Sequence, residues 1–371
     1  MIFSSTIGLL LLSLAHVEGT SAKSPLPTDR PYNIGHRGAS GELPEHTKEA
    51  YALAIHHGAD FIECDVVVTK DKHLICRHEP NLSLSTDADE KFPEKRGRYT
   101  IDGEELDGVF SVDLTLEEIR SLTANHQEKF KGVRGGDFDG QFGVCTLEEH
   151  IDIALNSVGK VVGIYPETIY PQWTNSLDMM SGTSLEQLLL EVVEKKGYRG
   201  KMFSESWAAQ PIFIQSMEVR NLKFLSGLTE IPLVQLVGWT GYNTREGQKT
   251  PEEMITEESL GEVAEYAVGV GAWKGHVLPV VDGDVKNSTG LVERMHAKGL
   301  LVHVYTFRND DKELTTAWGQ DHGKEYRAFV NGEKIDGIFT DFPGSLSDFF
   351  KSNMRCKADF DTENEEGCNS T

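Results

Sequence analysis

Two carboxylates two residues apart, Glu63 and Asp65, stand inside the run Phe61-Ile62-Glu63-Cys64-Asp65-Val66-Val67-Val68, where an ordinary strand would bury only hydrocarbon. Successive side chains of a strand alternate faces, so Glu63 and Asp65 emerge together while Ile62, Cys64 and Val66 point the other way. Two buried anions side by side repel and push each other's proton affinity upward, and a divalent metal is the simplest stabiliser. The neighbouring apolar runs sharpen the case. One upstream ends in Gly35-His36-Arg37-Gly38, and one downstream, Leu74-Ile75-Cys76-Arg77, ends in His78-Glu79. Polar chemistry gathered at successive strand ends is how parallel barrels build active sites.

Val161-Val162-Gly163-Ile164-Tyr165-Pro166-Glu167 reads as a further buried strand, and Glu167 closes it. Glu63, Asp65 and Glu167 make an all-oxygen ligand set, which suits calcium or magnesium and does not suit zinc. One divalent ion is expected there, with calcium favoured because carboxylate sites tolerate its irregular geometry. His36 and His78 are then candidate proton carriers of a metal-assisted displacement, since imidazole titrates near neutrality. Arg37 offers a planar fork to a phosphate oxygen.

Strand signals recur near Asn33–His36, Phe61–Val68, Leu74–Arg77, Val161–Tyr165, Met202–Ser204, Leu233–Val237, Gly275–Pro279, Leu301–Thr306 and Ile338–Thr340. Helical patterns lie between most of them, as at Pro44–Gly58, Leu147–Leu155, Ser184–Lys196 and Ser288–Lys298. This alternation predicts an α/β chain closed as a (β/α)8 TIM barrel over residues 31–350. Residues from about 81 to 143 break the rhythm and read as a long insertion over the barrel mouth. Residues 351–371 read as an acidic C-terminal tail.

Residues 1–22 contain a short apolar run bounded by small residues, which predicts a signal peptide and a secreted or secretory-lumen protein. No later stretch is long and apolar enough to predict a transmembrane helix. Asn81, Asn287 and Asn369 lie in glycosylation sequons. A net charge of −23 argues against nucleic acid or an anionic membrane as the main partner. Of the five cysteines, Cys64 and Cys76 are expected as buried thiols facing away from the carboxylates, and Cys356 with Cys368 as a disulfide bracketing the tail. No oligomeric state is assigned.

With these residues the chain resembles the glycerophosphodiester phosphodiesterases. The resemblance is carried by His36-Arg37-Gly38-Ala39, Pro44-Glu45-His46-Thr47, Gly58 to Asp65, Thr69-Lys70-Asp71, His78-Glu79, Thr146 to Glu149, Tyr165-Pro166-Glu167, Val302 to Phe307 and Asp336 to Pro343. It implies that His36 and His78 are the general acid and base, that Glu63, Asp65 and Glu167 bind the metal, and that Arg37 grips the phosphate. It further implies a small glycerophosphodiester as substrate, cleaved to sn-glycerol 3-phosphate and an alcohol. Either histidine can be the acid, and the nucleophile is water or the neighbouring glycerol hydroxyl. Two positions depart from the family: Glu79 where Asp is frequent, and Ile169 where Lys is common. Phe307 and Trp207, after later strands, are candidate walls of the glycerol pocket. Two other readings are a phospholipase D-like enzyme of the same superfamily acting on lysophospholipid or sphingolipid, and a non-catalytic barrel that binds phosphodiesters or glycans.

Overall fold

The structure is a computed structural model that describes residues 23–240 and 249–360. The expected signal peptide, Cys368 and Asn369 lie outside the described residues, as does the side chain of Cys356.

Eight parallel strands close into a barrel: β1 (Tyr32–Gly35), β2 (Phe61–Val68), β4 (Gly163–Thr168), β5 (Ile214–Ser216), β6 (Leu233–Val237), β7 (Gly269–Trp273), β8 (Leu301–Phe307) and β9 (Gly337–Thr340). Each pairs with the next, and β9 returns to β1 with Tyr32 opposite Gly337. The remaining strand, β3 (Leu74–Cys76), folds back antiparallel on the part of β2 that rises past the rim, with Val66 opposite Cys76. Helices cover the outside. Lys48–His56 is capped by the Thr47 side chain, which accepts from the Ala50 amide, and Leu147–Leu155 opens with a Thr146–Glu149 capping box.

Two strand expectations fail. Met202–Ser204 is a turn, and the strand is instead the three-residue β5, too short and too polar at Gln215 to stand out. Gly275–Pro279 begins as a helical turn, Lys274–Val277, and the strand precedes it in the glycine-rich β7. Those glycines are required by space: a Cβ on Gly269 would come within 2.9 Å of the Leu301 carbonyl oxygen of β8.

The barrel interior is layered. Phe61, Glu63 and Asp65 share the inward face of β2, and Gly163, Tyr165 and Glu167 share that of β4, with Glu63 opposite Tyr165 and Asp65 opposite Glu167. Phe61, Tyr165, Phe213 and His303 pack ring against ring as an aromatic floor, with centroids 5.1 to 6.0 Å apart. The carboxylates stand directly above it.

The 81–143 insertion is folded. It contains an antiparallel hairpin, Gly97–Ile101 with Glu104–Gly108, and a second short ladder, Thr123–Ala124 with Phe142–Gly143. Leu82, Val109, Leu114 and Ile119 pack with Val67 and Ile75 of the β2–β3 hairpin as a small core of their own. Asn81 is 4% exposed, and its side-chain nitrogen donates to the Asp107 carbonyl at 3.2 Å, so the folded chain offers no room for a glycan there. Asn287 is exposed. The last helix, Pro343–Phe360, runs on through the first part of the expected tail.

Cys64 and Cys76 are not thiols, as the sequence reading had it, but form a disulfide across β2 and β3 with a sequence separation of 12, because antiparallel return brings their Cα atoms to 5.4 Å. Cys145 is a buried free cysteine. Closing a ring of this size should stabilise the fold by about 2–4 kcal/mol through loss of unfolded-state freedom. Denaturant unfolding of the Cys64→Ala/Cys76→Ala variant should show that loss, and a difference below about 1 kcal/mol would mean that packing alone holds the hairpin.

Candidate active site

At the C-terminal mouth of the barrel a cavity of about 310 Å³ is lined by His36, Arg37, His78 and Glu167 together with Lys129 of the insertion and Trp239 of a later loop. Carboxylate oxygens of Glu63, Asp65 and Glu167 lie within 4.8 Å of one another at its base. The structure thus brings together the residues expected from four segments of the chain.

The turn after β1 sets the geometry. Arg37 and His46 are both left-handed, at φ 59° each, a conformation that non-glycine residues hold only when their surroundings demand it. Here the Arg37 amide donates to Glu63 Oε2 at 2.6 Å, and the His46 amide donates to the Arg37 carbonyl at 3.0 Å. Gly38, at φ 86°, lies so close to the first helix that a Cβ would meet the Ala50 carbonyl carbon at 2.7 Å.

Charge is distributed unevenly among the three carboxylates. Asp65 has its own partners: His46 Nε2 at 2.9 Å, a hydrogen bond from a ring whose pKa burial lowers, and the Arg37 cation, whose Nε is in ion-pair contact at 3.2 Å without hydrogen-bond alignment. Burial opposes its charge, but Arg37 and His46 outweigh that and hold the carboxyl well below the usual range. Glu63 and Glu167 go the other way, raised well above it by burial and by the Asp65 charge. Glu63 Oε1 is buried without any hydrogen-bond partner, and Gln215 reaches Glu167 only at 3.4 Å. An anion-crowded, all-oxygen pocket with an orphaned carboxylate oxygen fits a hard divalent cation.

His36 Nδ1 hydrogen-bonds Asp341 Oδ1 at 2.6 Å. Burial and the Arg37 charge nevertheless lower its pKa to about 4, against the pull of Asp341, so the ring is neutral at neutral pH. Asp341 is shared. It also accepts from Arg308 Nε at 2.7 Å and from Arg134 Nη2 of the insertion at 2.5 Å, and these cations keep it ionised despite burial. His78 sits across the cavity on the chain leaving β3, 2.8 Å from Glu79 Oε1 but poorly aligned for a hydrogen bond. Because β3 is antiparallel, His78 enters from outside the barrel wall and not from a parallel strand end.

Sequence reasoning assigned no role to Asp341, His46 or Glu45, although all three lie in the segments that carried the resemblance. Only the fold shows that Asp341 meets His36, and that Glu45 lies 3.3 Å from the Arg37 guanidinium. Trp207 and Phe307 are not pocket walls. Trp207 is buried, donates to the Ile212 carbonyl and packs on Phe213 of the aromatic floor, while Phe307 is buried against Tyr326 and Phe329. The aromatic lining comes from Trp239, Trp273, Tyr305 and Phe339. Ile169 packs into the small core under the insertion, so that strand end presents no cation.

Residues 36–345 match the glycerophosphoryl diester phosphodiesterase family. The chain belongs to this family. It is 39% identical to a glycerophosphodiester phosphodiesterase of Arabidopsis thaliana, covering 94% of this chain and 97% of that one. It is 29% identical to the Haemophilus influenzae enzyme of that name, over 93% and 98% of the two chains. Among solved structures, a family protein from Silicibacter pomeroyi shares the fold at a TM-score of 0.62 and 20% identity, covering 89% of this chain and 96% of that one. A phosphodiesterase from Oleispira antarctica, solved with the product sn-glycerol-3-phosphate, shares it at 0.55 and 18%, over 87% and 97%. The chain is accordingly a phosphoric diester hydrolase.

The uneven charge distribution separates the carboxylates experimentally. Asp65→Asn leaves the Arg37 cation short of a buried counter-charge and weakens the His46 hydrogen bond, and should cost at least about 2 kcal/mol without metal. Glu167→Gln removes repulsion and should leave metal-free stability level or higher. The advantage of Glu167→Gln over the metal-free parent should also shrink on acidification from neutral pH, since the raised folded-state pKa of Glu167 means that the parent fold takes up that proton before its unfolded chain does, while the buried neutral histidines act alike in both. Thermal melts of chelated samples between about pH 5 and 8 check all three; equal losses in both variants would show that Asp65 and Glu167 are held alike.

Proposed function

We propose that the enzyme hydrolyses glycerophosphodiesters to sn-glycerol 3-phosphate and an alcohol, with a divalent metal, calcium before magnesium, held by Glu63, Asp65 and Glu167. The observation that carries this reading is the placement of two histidines of unlike surroundings on one cavity that also holds the acidic cluster. The Oleispira antarctica structure, solved with sn-glycerol-3-phosphate, supports the substrate class. When bound, the ion supplies the positive charge that a phosphoryl group needs as its oxygens gain negative charge.

The protein's own groups divide the proton work. His36 is neutral, and Asp341 accepts its Nδ1 proton, which leaves Nε2 with a lone pair to take the nucleophile's proton as general base. His78 is the acid that protonates the departing alkoxide. Its side chain is 33% exposed against 12% for His36, so it can be recharged from water after each turnover. Arg37 lines the cavity between them and orients a phosphate oxygen, itself steadied by Glu45.

The Cys64–Cys76 disulfide supports an oxidising compartment, in keeping with the expected signal peptide. Among the described residues no helix is long and apolar enough to cross a membrane.

Release of sn-glycerol 3-phosphate from a panel of diesters should vanish in chelator and return with calcium or magnesium. Full activity after verified metal removal would overturn the metal assignment. His36→Ala and His78→Ala should each cost at least ~10²-fold. A nitrophenyl diester, whose leaving group needs no proton, should rescue the His78 variant alone. The acidic limb of kcat/KM should fall well below the ordinary imidazole value of 6.5, because the neutral base persists to about pH 4; equal rescue of both variants would reverse or void the assignment of roles.

A further inference from the structure

The cations facing the mouth cavity are not equivalent. Arg37 is in contact with Glu45 and Asp65, Arg308 donates to Asp341 at 2.7 Å, and Lys274 donates to Asp311 at 2.9 Å and Glu325 at 3.2 Å. Lys129 differs. Among the described residues no carboxylate lies within ion-pair distance of its ammonium, which sits 5.1 Å from the Phe130 ring.

An exposed lysine on a loop would ordinarily roam, and its charge would act only on average. The turn carrying Lys129 is instead tied down on both sides, to the same carboxylates that organise the catalytic groups. On one side Gln127 donates to Glu45 Oε1 at 2.7 Å, the residue that steadies Arg37. On the other, the buried Arg134 lies 3.5 Å over the Phe130 ring and donates to the Ser40 carbonyl and to Asp341, the partner of His36. Burial at the cavity mouth and the nearby Arg37 and Arg308 charges lower the Lys129 pKa to about 8, against the pull of the more distant Glu45 and Asp341 carboxylates.

We propose that Lys129 is a substrate-binding residue, which supplies from the insertion the ammonium that grips a non-bridging oxygen of the phosphodiester. It does so where Ile169 leaves the third carboxylate strand without a cation. The substrate identity rests on the function proposed above; the affinity for a phosphate group does not.

The test uses the full metal-loaded chain and two variants, Lys129→Met and Lys129→Arg. Binding of sn-glycerol 3-phosphate is read by fluorescence of the cavity tryptophans Trp239 and Trp273, metal affinity by calorimetry, and turnover by product release. Lys129→Met should weaken glycerol 3-phosphate binding and lower kcat/KM by about tenfold, the low end for one charge-assisted contact, while Lys129→Arg stays within about threefold of the parent. Metal affinity should not move. The proposal is overturned if the Met variant binds glycerol 3-phosphate like the parent, if Arg and Met are equally impaired, or if metal affinity falls with them. A parent that binds glycerol 3-phosphate but releases none from any diester would sink the functional reading and leave the Lys129 test standing. A parent that does not bind it at all would sink both.

Discussion

Everything at this site follows from the cost of assembling Glu63, Asp65 and Glu167 above an aromatic floor. Such a cluster is tolerated because the strain is not shared equally. Asp65 takes the Arg37 cation and the His46 hydrogen bond and stays ionised, while Glu63 and Glu167 carry the mutual repulsion as raised proton affinity. Two residues in left-handed backbone conformations are locked by that same arrangement. The metal-free site is therefore stable enough to keep its shape and uncomfortable enough to favour a cation.

How much of this could be read from the chain depends on the range of the interaction. Alternation along Phe61–Val68 puts Glu63 and Asp65 on one face whatever the tertiary fold, so the ligand pair was legible from local geometry. The barrel was legible from alternating strands and helices, even though β5 and β7 were misplaced. One is too short to show a pattern, and the other reads as glycine-rich loop because its neighbours press against its backbone. What could not be read were contacts between distant segments. Asp341 lies 305 residues from His36, and Arg134 reaches Asp341 across 207. The Cys64–Cys76 bond was missed because β3 was taken for another parallel strand, and only an antiparallel return places the two sulfurs side by side. Trp207 and Phe307 were misassigned for a similar reason. Following a strand does not say which end of the barrel a ring will pack against.

The insertion is the part whose role changed most. Charge and glycine content describe a polar excursion, whereas the fold gives it a small apolar core and two polar moorings, the part-buried Gln127 to Glu45 and the buried Arg134 to Asp341. Both moorings end on carboxylates that also hold catalytic side chains. The protein's overall charge of −23 makes such local arrangements necessary, since a phosphodiester is attracted only where carboxylates have been set aside to hold cations in place.

The antiparallel return of β3 holds the catalytic groups to the barrel by two different attachments. His36 and Asp341 ride on the barrel wall, whose strands are hydrogen-bonded on both sides, whereas His78 leaves a hairpin that projects past the rim and leads straight into the insertion. Native proteins open in cooperative pieces, and the insertion, with a small core of its own, is a natural piece to open without the barrel. Cys64 lies in the barrel part of β2 and Cys76 in the projecting strand, so their bond welds the base of the hairpin to the slow-opening wall. In hydrogen-exchange terms, the boundary between the two units is expected just beyond His78, which keeps the acid with the rigid half while the chain that follows it is free to breathe.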